Sequence, residues 1–266
     1  AESQVKQLHD FFSARKNAKT WKDFARKWQD TPTQGAKSVR KALGLDDRPV
    51  ILLATNVLGD SLTLGRQVFS KTMAEWVERT VQFFTKREDV QLVIRVHPGE
   101  TLMHGTSMVD VVKDALSNIP PHIHLIGAEE KINTYDVISV TDLGLVYTTT
   151  VGLEMAMRGV PVVVAGQTHY RGRGFTYDPT SWEGYFAMLN ELLGDLVSAR
   201  LSEQQIELSW RYAYLFFFAF PKPFPWHLLD LAEDIKARPM DFVLGEEGQK
   251  RYNQTFDYLT GKPLDW

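Results

Sequence analysis

Four short stretches of this chain combine residue types able to hold an anion and a polyol. In Arg95-Val-His-Pro98 an imidazole follows an apolar run. His97 at the end of a buried strand can donate a hydrogen bond to a phosphate oxygen, and Pro98 lets the chain depart without needing a backbone donor. Arg95 either pairs with a phosphate or is turned away by strand alternation. In Thr148-Thr-Thr-Val-Gly-Leu-Glu154 a second apolar run passes into a helix. Hydroxyls at Thr149 and Thr150 can cap the free amides of a first turn, and such amides with the helix dipole form an anion site. Glu154, one turn on, can accept hydrogen bonds from a ribose diol, or simply complement the dipole as a first-turn acid. In residues 166–179, Arg171 and Arg173 can clamp a pyrophosphate or an acidic sugar while Gly172 and Gly174 permit close backbone approach; the same composition suits a solvated surface loop. Gly59, Asp60 and Ser61 can contact sugar or phosphate, although such residues ordinarily stabilise turns.

The elements that must position these residues alternate. Apolar runs at residues 49–55, 90–96, 123–126, 143–147 and 161–165 read as buried strands, with helical spacing at 72–84, 109–116, 133–139 and 151–158. Such alternation implies an α/β fold, a Rossmann-like parallel sheet with helices on both faces and right-handed crossovers. Ligands of open parallel sheets bind beyond the carboxyl ends of the strands, so His97 and the threonine turn are expected to face one crevice. Residues 1–47 read as a helical arm with spaced aromatics (Phe11, Phe12, Trp21, Phe24, Trp28), residues 48–200 as the Rossmann-like domain, and residues 201–266 as a C-terminal helical segment packing on it. Within that last segment, 202–220 is a long periodic stretch broken by Pro221, Pro223 and Pro225, 228–235 resumes as helix, and 238–266 carries no assignable pattern.

Composition removes several classes of function. The formal net charge is −3, from 30 basic and 33 acidic residues, and they are interspersed, so no basic field exists to attract nucleic acid. Cysteine is absent, which removes disulfides and thiolate metal sites and fits a reducing, cytoplasmic setting. Residues 160–165 and 212–220 fall well short of the roughly 20 apolar residues of a spanning helix, and no charged-then-apolar leader begins the sequence. The protein is expected to be cytoplasmic, at most peripheral at the inner face of a membrane. No Asp-x-Asp cluster suggests a metal-diphosphate site, so neither metal nor cofactor is expected.

Taken together, Arg95-Val-His-Pro98, the run from Thr148 through Glu154 and Pro161 to Gly166, and His169-Tyr-Arg-Gly-Arg-Gly-Phe-Thr176 resemble the capsule polysaccharide biosynthesis glycosyltransferases of bacteria. These are relatives of the Kdo transferases, and they share an His-Pro motif with bacterial sialyltransferases. The resemblance covers roughly residues 48–226. It implies the C-terminal, donor-binding half of a GT-B fold, two Rossmann-like domains facing one cleft. By it, His97 is the catalytic histidine near the donor phosphate, Thr149 and Thr150 are the hydroxyl pair at the phosphate-binding helix, and Glu154 binds ribose. Threonine stands here where serine is commoner in that pair.

The implied partners are a nucleotide sugar, with a CMP-sugar favoured over UDP- or dTDP-sugars, and a glycan or lipid-linked acceptor. Only one α/β half is found, so an N-terminal acceptor domain carrying the base is expected to be missing, and this half is expected to be inactive alone. A sugar-nucleotide epimerase, a teichoic-acid-type glycerophosphotransferase and a non-catalytic nucleotide-binding module remain open alternatives.

Overall fold

The five apolar runs become five short strands whose ends fall in one line. The computed structural model describes residues 2–17, 31–61, 63–102, 105–226 and 231–263. Within these, β1 (Val50–Ala54), β2 (Gln91–Arg95), β3 (Ile123–Ile126), β4 (Leu143–Val146) and β5 (Val162–Val164) form a parallel sheet in the order β3-β2-β1-β4-β5. Pairing is in register across the whole sheet: Ile126 lies beside Arg95, Arg95 beside Ala54, Ala54 beside Val146, and Val146 beside Val164. All five connections therefore leave the sheet along one edge.

Both faces of the central strands are covered, which is why they read as unbroken apolar runs instead of alternating ones. Ile51, Leu53, Leu92, Ile94, Leu143 and Leu145 point to one side. There they share a core with Trp76, Val77 and Phe84 of α3 (Met73–Phe84), Met108 and Val112 of α4 (Met108–Ala115), and Tyr185 and Leu189 of α7 (Trp182–Gly194). These helices start where the sequence supplies acceptors. Thr72 accepts from the Glu75 amide, Ser181 accepts from the Gly184 amide, and Ser107 forms a capping box with Asp110. On the opposite face Met155 of α6 (Val151–Ala156) lies against Gly144, where a Cβ would have no room.

The arm contains α1 (Glu2–Lys16) and α2 (Ala36–Leu43), the latter in contact with α5 (Thr134–Ile138). Trp21, Phe24 and Trp28, like residues 227–230 near the start of the helix expected at 228–235, lie outside the described residues. Contacts divide the chain into two units, Ala1–Tyr212 and Ala213–Trp266. The long periodic stretch from 202 proves to be α8 (Glu203–Tyr214) followed by a wider π-type turn over Leu215–Ala219. The second unit adds α9 (Leu231–Ala237), α10 (Met240–Leu244) and α11 (Glu246–Leu259), so the unassigned tail is largely helical. Its ties include Trp226 Nε1 to the Arg238 carbonyl at 2.9 Å and Thr255 Oγ1 to the Pro223 carbonyl at 2.7 Å. No helix among the described residues is long and apolar enough to cross a membrane.

Candidate functional site

Side chains just beyond the strand ends stitch neighbouring loops together. Thr55 Oγ1 accepts from the His97 amide at 3.2 Å, and Asn56 Oδ1 accepts from the Thr148 amide at 3.1 Å. The loops after β1, β2 and β4 are thus held as one wall, their amides satisfied by buried side chains.

The His97 imidazole is fixed by its own loop. Nδ1 accepts from the Gly99 amide at 3.0 Å, so the neutral ring carries its proton on Nε2. Gly99 is required by that contact, since a Cβ would stand 2.9 Å from Nδ1 and 3.1 Å from Cε1. One residue on, the Glu100 carboxylate accepts from the Leu58 amide at 3.1 Å and the Met108 amide at 3.0 Å, anchoring the short 3₁₀ turn Pro98–Leu102 to its neighbours. Burial pushes the Glu100 carboxyl upward, against the lowering effect of those two amides.

The threonine turn is held from beneath. Tyr170 OH donates to the Thr149 carbonyl at 2.6 Å, an approach that Gly152 permits by having no side chain. Thr149 Oγ1 accepts from the Val151 amide at 3.4 Å, while Thr150 occupies the cap position of α6 without a side-chain cap. Glu154 lies one turn further, its side chain only 3% exposed, with Oε1 3.1 Å from a guanidinium nitrogen of Arg15 in α1. That is a charge contact; among the described residues neither carboxylate oxygen accepts a hydrogen bond.

His97, Thr149 and Glu154 line one cavity of about 230 Å³, together with Arg15, Arg95 and Thr134. This is smaller than the ~300–1,000 Å³ typical of small-molecule sites. Arg95 is committed to structure: it donates to the carbonyls of Gly127 at 2.6 Å and Ile132 at 3.1 Å, bracing the loop between β3 and α5. Burial pulls its pKa down to about 10.

The remaining expected site residues do not line this cavity. Arg171 donates to the carbonyls of Val164 and Pro179, closing its own loop, and the Arg173 guanidinium lies 5.9 Å from the Tyr212 ring. Gly59 adopts a positive φ of 78°, and Ser61 donates to Asp60 at 3.3 Å, so these residues build the turn after β1. Thr150 flanks the cavity as a helix cap. Sequence reasoning missed Arg15 and the loop at 127–134. The loop follows a strand like the others and was findable by the same rule, whereas nothing in the arm singles out Arg15. Among the described residues no group of three or more His, Asp or Glu side chains is placed to hold a metal ion.

Fold and cavity define an α/β protein with a cavity at the strand ends, lined by the His97 imidazole and the buried Glu154 carboxylate. Residues 6–188 match the capsule polysaccharide biosynthesis protein family, and the chain belongs to it. Among solved structures it is similar to the beta Kdo 2,4 transferase KpsC of Thermosulfurimonas dismutans, at 16% identity over 79% of this chain and 55% of that one, TM-score 0.47. It is also similar to UDP-GlcNAc 2-epimerase from Neisseria meningitidis, at 16% identity over 65% of this chain and 42% of that one, TM-score 0.44. A third similar structure is the wall teichoic acid polymerase TagF, at 14% identity over 68% of this chain and 42% of that one, TM-score 0.42. The chain spans about half the length of these structures. No curated protein matches it.

Proposed function

We propose that this chain is the nucleotide-sugar-binding half of a GT-B glycosyltransferase that extends a bacterial surface polysaccharide. The observation that carries the reading is Glu154: a buried carboxylate with no hydrogen bond among the described residues, opening on a cavity shared with His97 and Thr149. Buried acceptors are ordinarily satisfied, and the hydroxyls of a ribose supply what this one lacks. The Nε2–H of His97 and the Thr149 hydroxyl suit the phosphate attached to that ribose. A cavity of about 230 Å³ takes the nucleoside end and leaves the sugar outside.

In the transfer, the bond between the anomeric carbon and the donor phosphate oxygen breaks and its electron pair stays on the phosphate. The acceptor hydroxyl oxygen bonds to the anomeric carbon, and its proton passes to a base in a second domain. Negative charge grows on the leaving phosphate as the sugar becomes oxocarbenium-like, and a fixed imidazole N–H there stabilises that charge more in the transition state than in the ground state. The donor is a CMP-sugar in preference to UDP- or dTDP-sugars, and the acceptor is a glycan or lipid-linked chain.

Calorimetry of this chain with cytidine, uridine and thymidine nucleotides tests the reading. Cytidine nucleotides are expected to bind best, with no sugar transfer by the isolated chain. Losing one donor to a charged phosphate is worth about 1.5–3 kcal/mol, so His97→Ala should weaken binding by about 10- to 100-fold at an unchanged thermal midpoint. Failure to bind any nucleotide would sink the proposal, and a large loss of stability with unaltered affinity would make His97 a structural residue.

A further inference from the structure

The arm lines the cavity with Arg15 and Thr31, and the route of Arg15 there is built. Leu8 and Arg15 are the buried residues of α1, seven positions apart and so on one face of the helix. Leu8 is the apolar anchor. The Arg15 guanidinium carbon lies 5.2 and 5.6 Å from the ring centres of Phe11 and Phe12, and its tip meets Glu154. The side chain is 6% exposed.

Two buried side chains, Asn133 on the cavity lining and Asp136 in α5, fasten the arm at residues that follow Arg15 in the chain. Asn133 Nδ2 donates to the Lys16 carbonyl at 2.9 Å and the Thr31 carbonyl at 2.8 Å, while its Oδ1 caps α5 through the Tyr135 amide. The Asp136 carboxylate accepts from the amides of Gln34 at 2.7 Å and Gly35 at 3.0 Å, and from the Thr33 hydroxyl. The segment that forms one side of the cavity is therefore the segment that holds the arm.

We infer that Arg15 is a positioning residue of the nucleotide site: its charge balances Glu154 in the interior and turns the carboxylate so that its acceptors face the ribose diol. This deepens the nucleotide-binding reading and rests on it. An unbalanced buried carboxylate is costly, and a guanidinium at 3.1 Å supplies the counter-charge. A carboxylate has about four acceptor sites, and one charge contact leaves the others to be filled. A vicinal diol brings two O–H donors to such a carboxylate, and a 2′-deoxyribose brings one. The arm thus contributes to recognising ribose.

The test compares cytidine monophosphate with 2′-deoxycytidine monophosphate by calorimetry on the whole chain. Wild type, Arg15→Met, which keeps an apolar stem, and Arg15→Lys, which keeps the charge on a single nitrogen, are measured together with their thermal midpoints. Wild type should prefer the ribonucleotide. Arg15→Met should lose about tenfold in ribonucleotide affinity, the worth of about one hydrogen bond, while binding the deoxynucleotide as before; Arg15→Lys should keep part of the preference. A folded Arg15→Met with the wild-type ratio, or with equal losses for both ligands, overturns the inference, as does a wild type without any preference. If Arg15→Met does not fold, Arg15→Lys decides, and an unchanged ratio there is fatal. A wild type that binds neither nucleotide overturns the nucleotide reading itself, an outcome visible before any variant is made.

Discussion

Two regions beyond the same sheet edge carry similar residues and treat them differently. The cavity wall, built from residues 97–100 and 149–154, and the loop at 166–179 are both rich in His, Thr, Gly and charge. In the loop the polar groups meet one another. Arg171 serves the carbonyls of Val164 and Pro179, and Asp178 accepts from the Gly172 amide at 2.8 Å and the Thr176 hydroxyl at 2.9 Å. Tyr212 OH donates to the His169 carbonyl at 2.7 Å, and Gln205 Nε2 to the Gly174 carbonyl at 3.2 Å. In the wall, Glu154 is buried with no hydrogen bond among the described residues, beside a cavity. Residue type alone does not separate the two regions; their place against the cavity does, since the loop lines none of it.

Arg171 offers the largest effect with which to break that contrast. Arg171→Met removes a half-buried guanidinium from two carbonyls, at about 1.5–3 kcal/mol for each charged hydrogen bond before discounting for solvent, so about 3 kcal/mol of stability should be lost. Nucleotide affinity should stay within about twofold, because the loop does not line the cavity. Denaturant unfolding and calorimetry on the same preparation read both. A folded variant with collapsed affinity would return the loop to the binding site.

Gly99 sharpens the other side. An alanine Cβ would stand 2.9 Å from His97 Nδ1 and 3.3 Å from Val57, so the imidazole must turn and release the Gly99 amide. Gly99→Ala should weaken nucleotide binding by about tenfold, the worth of about one hydrogen bond, with little change in midpoint since the displaced group borders open space. Nitrogen-15 shifts of the His97 ring should report loss of the single Nε2–H tautomer. A variant with wild-type affinity and tautomer would mean that the Gly99 contact does not orient the ring.

Much of this organisation could be read from the sequence, for physical reasons that also mark where reading stops. Residues 50–54 and 91–95 announce buried parallel strands because both their faces are covered, and once strands are placed, His97 and Thr149 follow from where each strand ends. Glu154 was reached the same way. Arg15 could not be, since its partner is far along the chain and the arm's pattern shows only an amphipathic helix. Arg171 and Arg173 suggested a clamp because glycine and arginine together suit phosphate; whether a guanidinium finds carbonyls in its own loop is decided by the path of that loop. Helices α10 and α11 stayed hidden because both begin without a side-chain cap, and the exposed Met240, Leu244 and Leu259 blur any apolar face.

The smallest effect concerns pH and belongs to the loop at 166–179. His169 stacks on Tyr212 with ring centres 5.8 Å apart and meets Tyr170 edge-on at 5.1 Å, and its Nδ1 lies 3.2 Å from the Tyr212 hydroxyl. Burial, with a further push from the Arg173 charge, takes its pKa down to about 4. An unfolded histidine titrates near ~6.5, so between these values the unfolded chain binds the proton more readily than the folded one. Stability from this group is fully present above pH ~6.5 and is lost as pH falls toward 4. Thermal midpoints measured at intervals from pH 7.5 to 4.5 should therefore drop more steeply for wild type than for His169→Phe, which keeps a ring on Tyr212 and cannot take a proton. At pH 7.5 the two should bind nucleotide alike. Parallel midpoint curves would show that His169 is protonated as easily folded as unfolded; a change in affinity at pH 7.5 would show that the loop and the cavity wall are not separate after all.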